Sequence, residues 1–195
     1  RGPPLERRLT AVLAADVVGY SRLMSEDQAA TLDALRQLRH DLLEPAVADF
    51  RGSMIKSMGD GWIIEFPSIT DAIDCALRVQ TAIAELSTIR LRIGVHIGEV
   101  VFEASDIFGD GVNVAARLEQ LAPPGHVLLS DTAHNSLDQK HAGSFLEGGL
   151  QTLKNIPRPM AVWYWPALPE AQSEQPASAV TAAPQSEDRP SIAVL

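Results

Sequence analysis

Cysteine occurs once in these 195 residues, at Cys75, so no internal disulfide can staple the fold. It lies in a helical pattern beside Ala72, Ala76 and Val79, where a small apolar side chain packs on a helix flank. Basic residues are few. The 16 Lys and Arg stand against 25 Asp and Glu, a formal charge of -9, which disfavours sequence-independent nucleic-acid binding through a basic face. An anionic substrate of such a chain needs metal. Long apolar runs are missing: none approaches the roughly 20 residues of a membrane span, and the first residues lack a signal-peptide core. The chain therefore reads as soluble and cytoplasmic. His40, His96, His126, His134 and His141 show no metal-ligand spacing, so zinc is not indicated. The three tryptophans, Trp62, Trp163 and Trp165, suit strand packing better than a cofactor role.

What is present is a hydrophobic share of 46%, enough for one substantial core. Leu9 to Ala15 is a short apolar run that suits a buried strand delivering the carboxylate of Asp16 at its end. From about Glu26 to Phe50, Leu32, Leu35, Leu38 and Leu42 recur at helical spacing, with Pro45 marking a kink or break. Residues 53–57 and 62–66 are strand-like and joined across Gly59-Asp60-Gly61, which is strong hairpin chemistry. Ser68 to Asp71 resembles a capping box, and Ala72, Ala76, Val79, Ile83 and Leu86 form the apolar seam of the next helix. Residues 90–97 and 99–102 read as a second strand pair interrupted at Gly98. Further strands are expected at 126–129, 145–153 and 160–165, with a short helix within 131–139. The order is β-α-β-β-α-β with additions, an α+β sandwich with helices on one face of an antiparallel-rich sheet. After Trp165 the composition shifts to Pro, Ala, Ser, Gln and Glu, so residues 167–195 read as a linker leading toward a further domain.

Three motifs carry chemistry. In Asp106-Ile-Phe-Gly-Asp-Gly-Val-Asn113-Val-Ala-Ala-Arg117 the polar residues fall on one helical face, so Asn113 and Arg117 point the same way, as a phosphate-facing amide and guanidinium would. Val114, Leu118 and Leu121 form the opposite, buried stripe. Asp16 and Asp60 come together if their strands are neighbours, and two carboxylates plus substrate oxygens suit Mg²⁺. Directly after Asp16, Val17-Val-Gly19-Tyr20-Ser21 offers backbone N–H groups and a helix start to a polyphosphate. Each pattern alone also fits a plain turn or a solvated helix face.

Taken in order, Ala15 to Ser21, Lys56-Ser-Met-Gly-Asp60-Gly and Asp106 to Arg117 closely resemble the catalytic domain of class III nucleotidyl cyclases, over roughly residues 7–166. The resemblance implies a ferredoxin-like β-α-β-β-α-β cyclase fold with extra C-terminal strands. It implies two Mg²⁺ or Mn²⁺ ions on Asp16, Asp60 and the Val17 carbonyl, and an adenine-reading pair in Lys56 and Asp106, where guanylyl cyclases usually have Glu and Cys. Asn113 matches the ribose-orienting residue, Arg117 the transition-state arginine and Lys154 the lysine on the terminal phosphates. The implied partners are ATP and a second copy of the chain, in a head-to-tail homodimer with two shared sites. The implied activity is adenylate cyclase, with a guanylate or broad purine cyclase, or a silent regulatory module, as rivals. The stretch from Gly98 to Asp106 lacks a basic residue that some relatives carry there.

Overall fold

A computed structural model of the protein describes residues 5–86, 88–103 and 106–166; the expected linker, residues 167–195, lies outside the described residues. Strand β1 (Glu6–Val17) is central, because its run is apolar at successive positions and can be covered on both sides. Ala11, Leu13, Ala15 and Val17 point into one core, while Val12 and Ala14 point into another on the opposite face. Helices α1 (Tyr20–Glu26), α2 (Gln28–Gln37) and α3 (Glu44–Asp49) follow, the last two joined through a π-helical turn at Leu38–Leu43. Pro45 has no N–H to donate and its ring crowds the preceding turn, so the expected break is a local widening of the helix, with Glu44 N–H donating to the Arg39 carbonyl.

Strands β2 (Ser53–Met58) and β3 (Gly61–Phe66) form the expected hairpin, closed by Gly59 and Asp60, with Gly59 at φ +64° as a two-residue turn demands. All six residues of β3 are buried. Truncating one of its large apolar side chains, as in Ile64→Ala, removes about 2–5 kcal/mol. Helix α4 (Ile69–Leu86) starts as anticipated: the Asp71 N–H donates to Ser68 Oγ at 3.1 Å, and Ala72, Ala76, Val79 and Ile83 are buried.

Strand β4 (Leu91–Glu103) runs unbroken through Gly98, correcting the expected interruption there, and pairs antiparallel with β1 over twelve residues. Gly98 is a place of close approach: a Cβ there would lie 3.2 Å from the Gly111 Cα. The partner that sequence reading placed at 99–102 is instead the short β5 (Asp106–Phe108). Helix α5 (Asp110–Leu121) leads to β6 (Val127–Ser130), the short helices α6 (Asp131–Asn135) and α7 (Gln139–Ala142), and strands β7 (Leu146–Gln151) and β8 (Met160–Trp165).

The eight-stranded sheet has the order β2-β3-β1-β4-β6-β8-β7, with β5 on β4. Each of its first four strands is antiparallel to its neighbour, and together they give the expected ferredoxin-like core. The helical segment 28–49 and α4 share one core cluster, with Leu35, Leu43, Val47, Ile73 and Val79 packed on one sheet face. Helix α5 departs from the expectation of helices on one face only. Its Val114, Ala115 and Leu118 pack on the opposite face with Val12, Ala14 and Leu128. The expected buried Leu121 is 37% exposed and Ala122 takes the inner position, because a 3.6-residue period carries the stripe from 114 and 115 to 118 and 122.

Candidate active site

Asp16 and Asp60 meet at one end of the central strands because β1 and β3 are neighbours, with Asp16 opposite Gly61. The Val17 N–H donates to the Asp60 carbonyl at 2.9 Å, so Asp16, Val17 and Asp60 are tied into one corner. Gly19 leaves β1 in the left-handed conformation, φ +68°, and turns the chain into α1, whose first residues are Tyr20 and Ser21. Their amides have no acceptor within the helix.

Two residues that sequence reading did not single out complete this corner. Arg92 on β4 stands directly opposite Asp16 and grips both its oxygens, Nε to Oδ1 at 3.0 Å and Nη2 to Oδ2 at 2.7 Å. These hydrogen bonds raise the Arg92 pKa above its ordinary value, with Glu119 and Asp60 adding to the effect. Glu119 on α5 is buried, and its Oε1 lies 3.5 Å from Arg92 Nε without a hydrogen-bond partner among the described residues. Burial, reinforced by Asp16, pushes its carboxyl up to about 8. Gly94 explains how a helix residue comes so near: a Cβ there would sit 2.3 Å from the Glu119 backbone nitrogen, so glycine lets α5 rest directly on the sheet. Both residues had a signal in the sequence. Arg92 is a charge inside the apolar run Leu91-Arg-Ile-Gly-Val, and Glu119 occupies an inward phase of α5 beside Leu118.

The donors fit a hard divalent ion that brings further ligands with its substrate. Asp16, Asp60 and a main-chain carbonyl are all oxygen donors, and among the described residues no group of three or more His, Cys, Asp or Glu forms a dedicated cage.

Lys56 and Asp106, far apart in sequence, are brought together: Nζ lies 2.8 Å from Oδ1, and the ammonium sits 5.3 Å from the Phe108 ring centroid. The Lys56 contact, then the Ile107 N–H donating to Oδ1 at 2.8 Å, holds the Asp106 carboxyl below its usual range. Each side chain remains more than a third exposed, so the pair is open to a ligand. Asn113 and Arg117 project from α5 away from the sheet, and Arg117 donates to Gln120 at 2.8 Å. Lys154 is exposed at a turn in which the Ile156 N–H donates to the Leu153 carbonyl and Asn155 has φ +64°. Among the described residues of one chain, none of Lys56, Arg117 and Lys154 forms an ion pair with Asp16 or Asp60. The candidate residues thus fall into separate groups within a protomer.

A family model described as the adenylate and guanylate cyclase catalytic domain matches residues 7–154. A putative adenylate cyclase of Rhizobium meliloti is 43% identical, covering 98% of this chain and 34% of the relative. A pH-sensitive adenylate cyclase of Mycobacterium tuberculosis is 34% identical over 74% of this chain and 37% of its own length. The chain thus spans about a third of these curated relatives. Among solved structures, an adenylate/guanylate cyclase/hydrolase from Silicibacter pomeroyi superposes with a TM-score of 0.77 at 43% identity, covering 83% of this chain and 98% of that one. Adenylate cyclases of Trypanosoma brucei, at 19% identity and a TM-score of 0.73, share the fold. By motif, fold and identity, the chain belongs to the adenylate and guanylate cyclase catalytic domain family.

Proposed function

We propose that this chain is the catalytic portion of an adenylate cyclase that converts ATP to 3',5'-cyclic AMP and pyrophosphate at sites shared by two copies. The observation that carries the choice of base is the 2.8 Å Lys56–Asp106 pair. A donor beside an acceptor complements the edge of adenine, where a ring nitrogen accepts next to an amino group that donates. The relatives named as adenylate cyclases point the same way.

In this reading the ribose 3'-oxygen attacks the α-phosphorus in line and pyrophosphate leaves. Two Mg²⁺ or Mn²⁺ ions, when bound, supply the charge that lowers the pKa of the 3'-hydroxyl and polarises the α-phosphate. Asp16, Asp60 and the Val17 carbonyl hold them. The amides after Gly19, at Tyr20 and Ser21, face the polyphosphate. From the second copy, Lys56 and Asp106 hold the base, Asn113 orients the ribose, Lys154 meets the terminal phosphates and Arg117 meets the charge that develops at the reacting phosphate. Such a division agrees with the separation of these groups within one protomer. In this reading the proton leaves to water or to substrate phosphate.

The test is product formation from ATP or GTP with Mg²⁺ or Mn²⁺ across a range of protein concentrations, beside an Asp60→Ala control. Cyclic AMP that rises faster than linearly with protein, and is lost in the variant, is the expected result. No product from dimers that bind ATP overturns it in favour of a regulatory module. Selectivity is tested separately: Lys56→Glu combined with Asp106→Cys weakens the preference for ATP over GTP, and an unchanged preference means that these residues do not read the base.

A further inference from the structure

The corner formed by Asp16, Asp60, Arg92 and Glu119 gathers one guanidinium and three carboxyl groups. Arg92 engages both oxygens of Asp16, at 3.0 and 2.7 Å. A divalent ion held by Asp16 needs at least one of those oxygens, and a guanidinium fork and a metal cannot share them without bringing two cations together. Arg92 therefore has to move for Asp16 to serve as a ligand. The direction of that movement is built in. Glu119 Oε1 is already 3.5 Å from Arg92 Nε, is buried, and has no hydrogen-bond partner among the described residues. On the same side, Arg92 Nη1 lies 3.5 Å from the Gln120 carbonyl, so the guanidinium is drawn toward the end of α5 by two acceptors. A buried carboxyl group lacking a partner is costly, and a cation one short step away satisfies it.

We propose that Arg92 is an internal counter-cation that competes with divalent metal for Asp16, and that Glu119 is the positioning residue to which Arg92 is handed when metal binds. This inference rests on the reading of Asp16 and Asp60 as metal-holding residues. Competition of this kind lowers apparent metal affinity by the fraction of molecules in which Asp16 is released. Glu119 acts by raising that fraction, so its effect passes through Arg92. Simple electrostatics predicts something different. If each charge acted on the metal independently, removing Arg92 would tighten binding, removing Glu119 would weaken it, and the two effects would add.

The experiment measures Mn²⁺ affinity of the protein without nucleotide, by the electron paramagnetic resonance of free Mn²⁺ at fixed ionic strength. The variants are Arg92→Gln, Glu119→Gln, the double variant, and Asp60→Asn as the control for the site. Handover predicts Arg92→Gln to bind roughly five-fold or more tighter, Glu119→Gln to bind weaker by a similar factor, and the double variant to match Arg92→Gln within about two-fold. Arg92→Lys keeps the charge but loses the fork, so it tightens binding by a smaller factor; it keeps the test decisive if Arg92→Gln does not fold. A double variant that falls at the product of the two single effects overturns the handover, as does an Arg92 variant that fails to tighten binding at all. Mn²⁺ binding that Asp60→Asn leaves intact overturns the metal reading itself, and with it the proposal.

Discussion

Arg117 stands on the outward face of α5, half exposed, with only Gln120 as its side-chain partner among the described residues. Such a residue contributes little to folding, so under the proposed function its removal is felt in chemistry. Arg117→Ala is expected to lower kcat by on the order of 10²-fold while the thermal midpoint stays close to that of the parent, as read by single-turnover assay beside thermal unfolding. His96 shows the opposite balance. It is 8% exposed, its Nδ1 lies 2.6 Å from Ser130 Oγ, and burial lowers its pKa to about 4 from the ordinary 6.5. Above pH 6.5 both folded and unfolded chains hold it neutral and its contribution is constant. Below 6.5 the unfolded chain takes up a proton that the folded one refuses, so stability falls as pH drops toward 4, by at most about 3 kcal/mol. His96→Asn flattens this part of the profile, which denaturant unfolding at several pH values measures; an unaltered slope means another group is responsible. At this scale the sequence spoke unevenly. Lys56 and Asp106 were singled out through the ordered family motifs and are brought together in the fold, since nothing in local spacing links residues fifty apart, while Lys154 rests on the resemblance alone. Arg92 and Glu119 were passed over because a charge in an apolar stripe becomes informative only once its strand and helix are known to touch.

Helix α5 owes its place to glycines on the strand below it. A Cβ at residue 94 would lie 2.3 Å from the Glu119 nitrogen and 2.4 Å from the Ala115 carbonyl oxygen, and both are backbone atoms of a helix that cannot yield locally. Gly94→Ala therefore lifts α5 from the sheet, moving Glu119, Asn113 and Arg117 together. The expected cost is about 3 kcal/mol or more, with a loss of activity greater than that of any one of these side chains. Retention of near-parental stability in chemical unfolding counts against such close packing. Periodicity identified α5 and its outward face, yet it could not say which sheet face the helix covers. That depends on β4 running straight through Gly98, where punctuation by glycine had suggested a break. The hairpin at Gly59-Asp60 and the cap at Ser68 were readable because turn and cap chemistry are local. The π-helical turn before Pro45 was readable only as a disturbance, since proline dictates that an N–H is missing and tertiary packing dictates how the helix absorbs it.

For the whole molecule, the arrangement of charge and of candidate groups argues for assembly. The acidic corner at Asp16 and Asp60 and the outward-facing Asn113, Arg117 and Lys154 lie on one chain without pairing among the described residues. A net charge of -9 leaves such an acidic chain to meet a polyphosphate only where basic side chains or metal are gathered. The proposed head-to-tail pair of copies would gather them, because each acidic corner would then face its neighbour's basic groups. This arrangement makes a quantitative prediction about mixtures. Under the proposed function, Asp60→Asn removes the metal-holding half of a site, and Arg117→Ala removes the half that meets the phosphate. Each variant alone has both of its sites damaged. When equal amounts are mixed and subunits exchange freely, half of the dimers contain one copy of each, and each such dimer has one site intact and one doubly damaged. The mixture should recover about a quarter of parental activity. If the halves of a site came from a single chain, every site in the mixture would carry a lesion, and activity would stay at the level of the separate variants. Cyclic AMP formation in the mixed sample, measured beside each variant alone, separates the two arrangements without requiring a structure of the dimer.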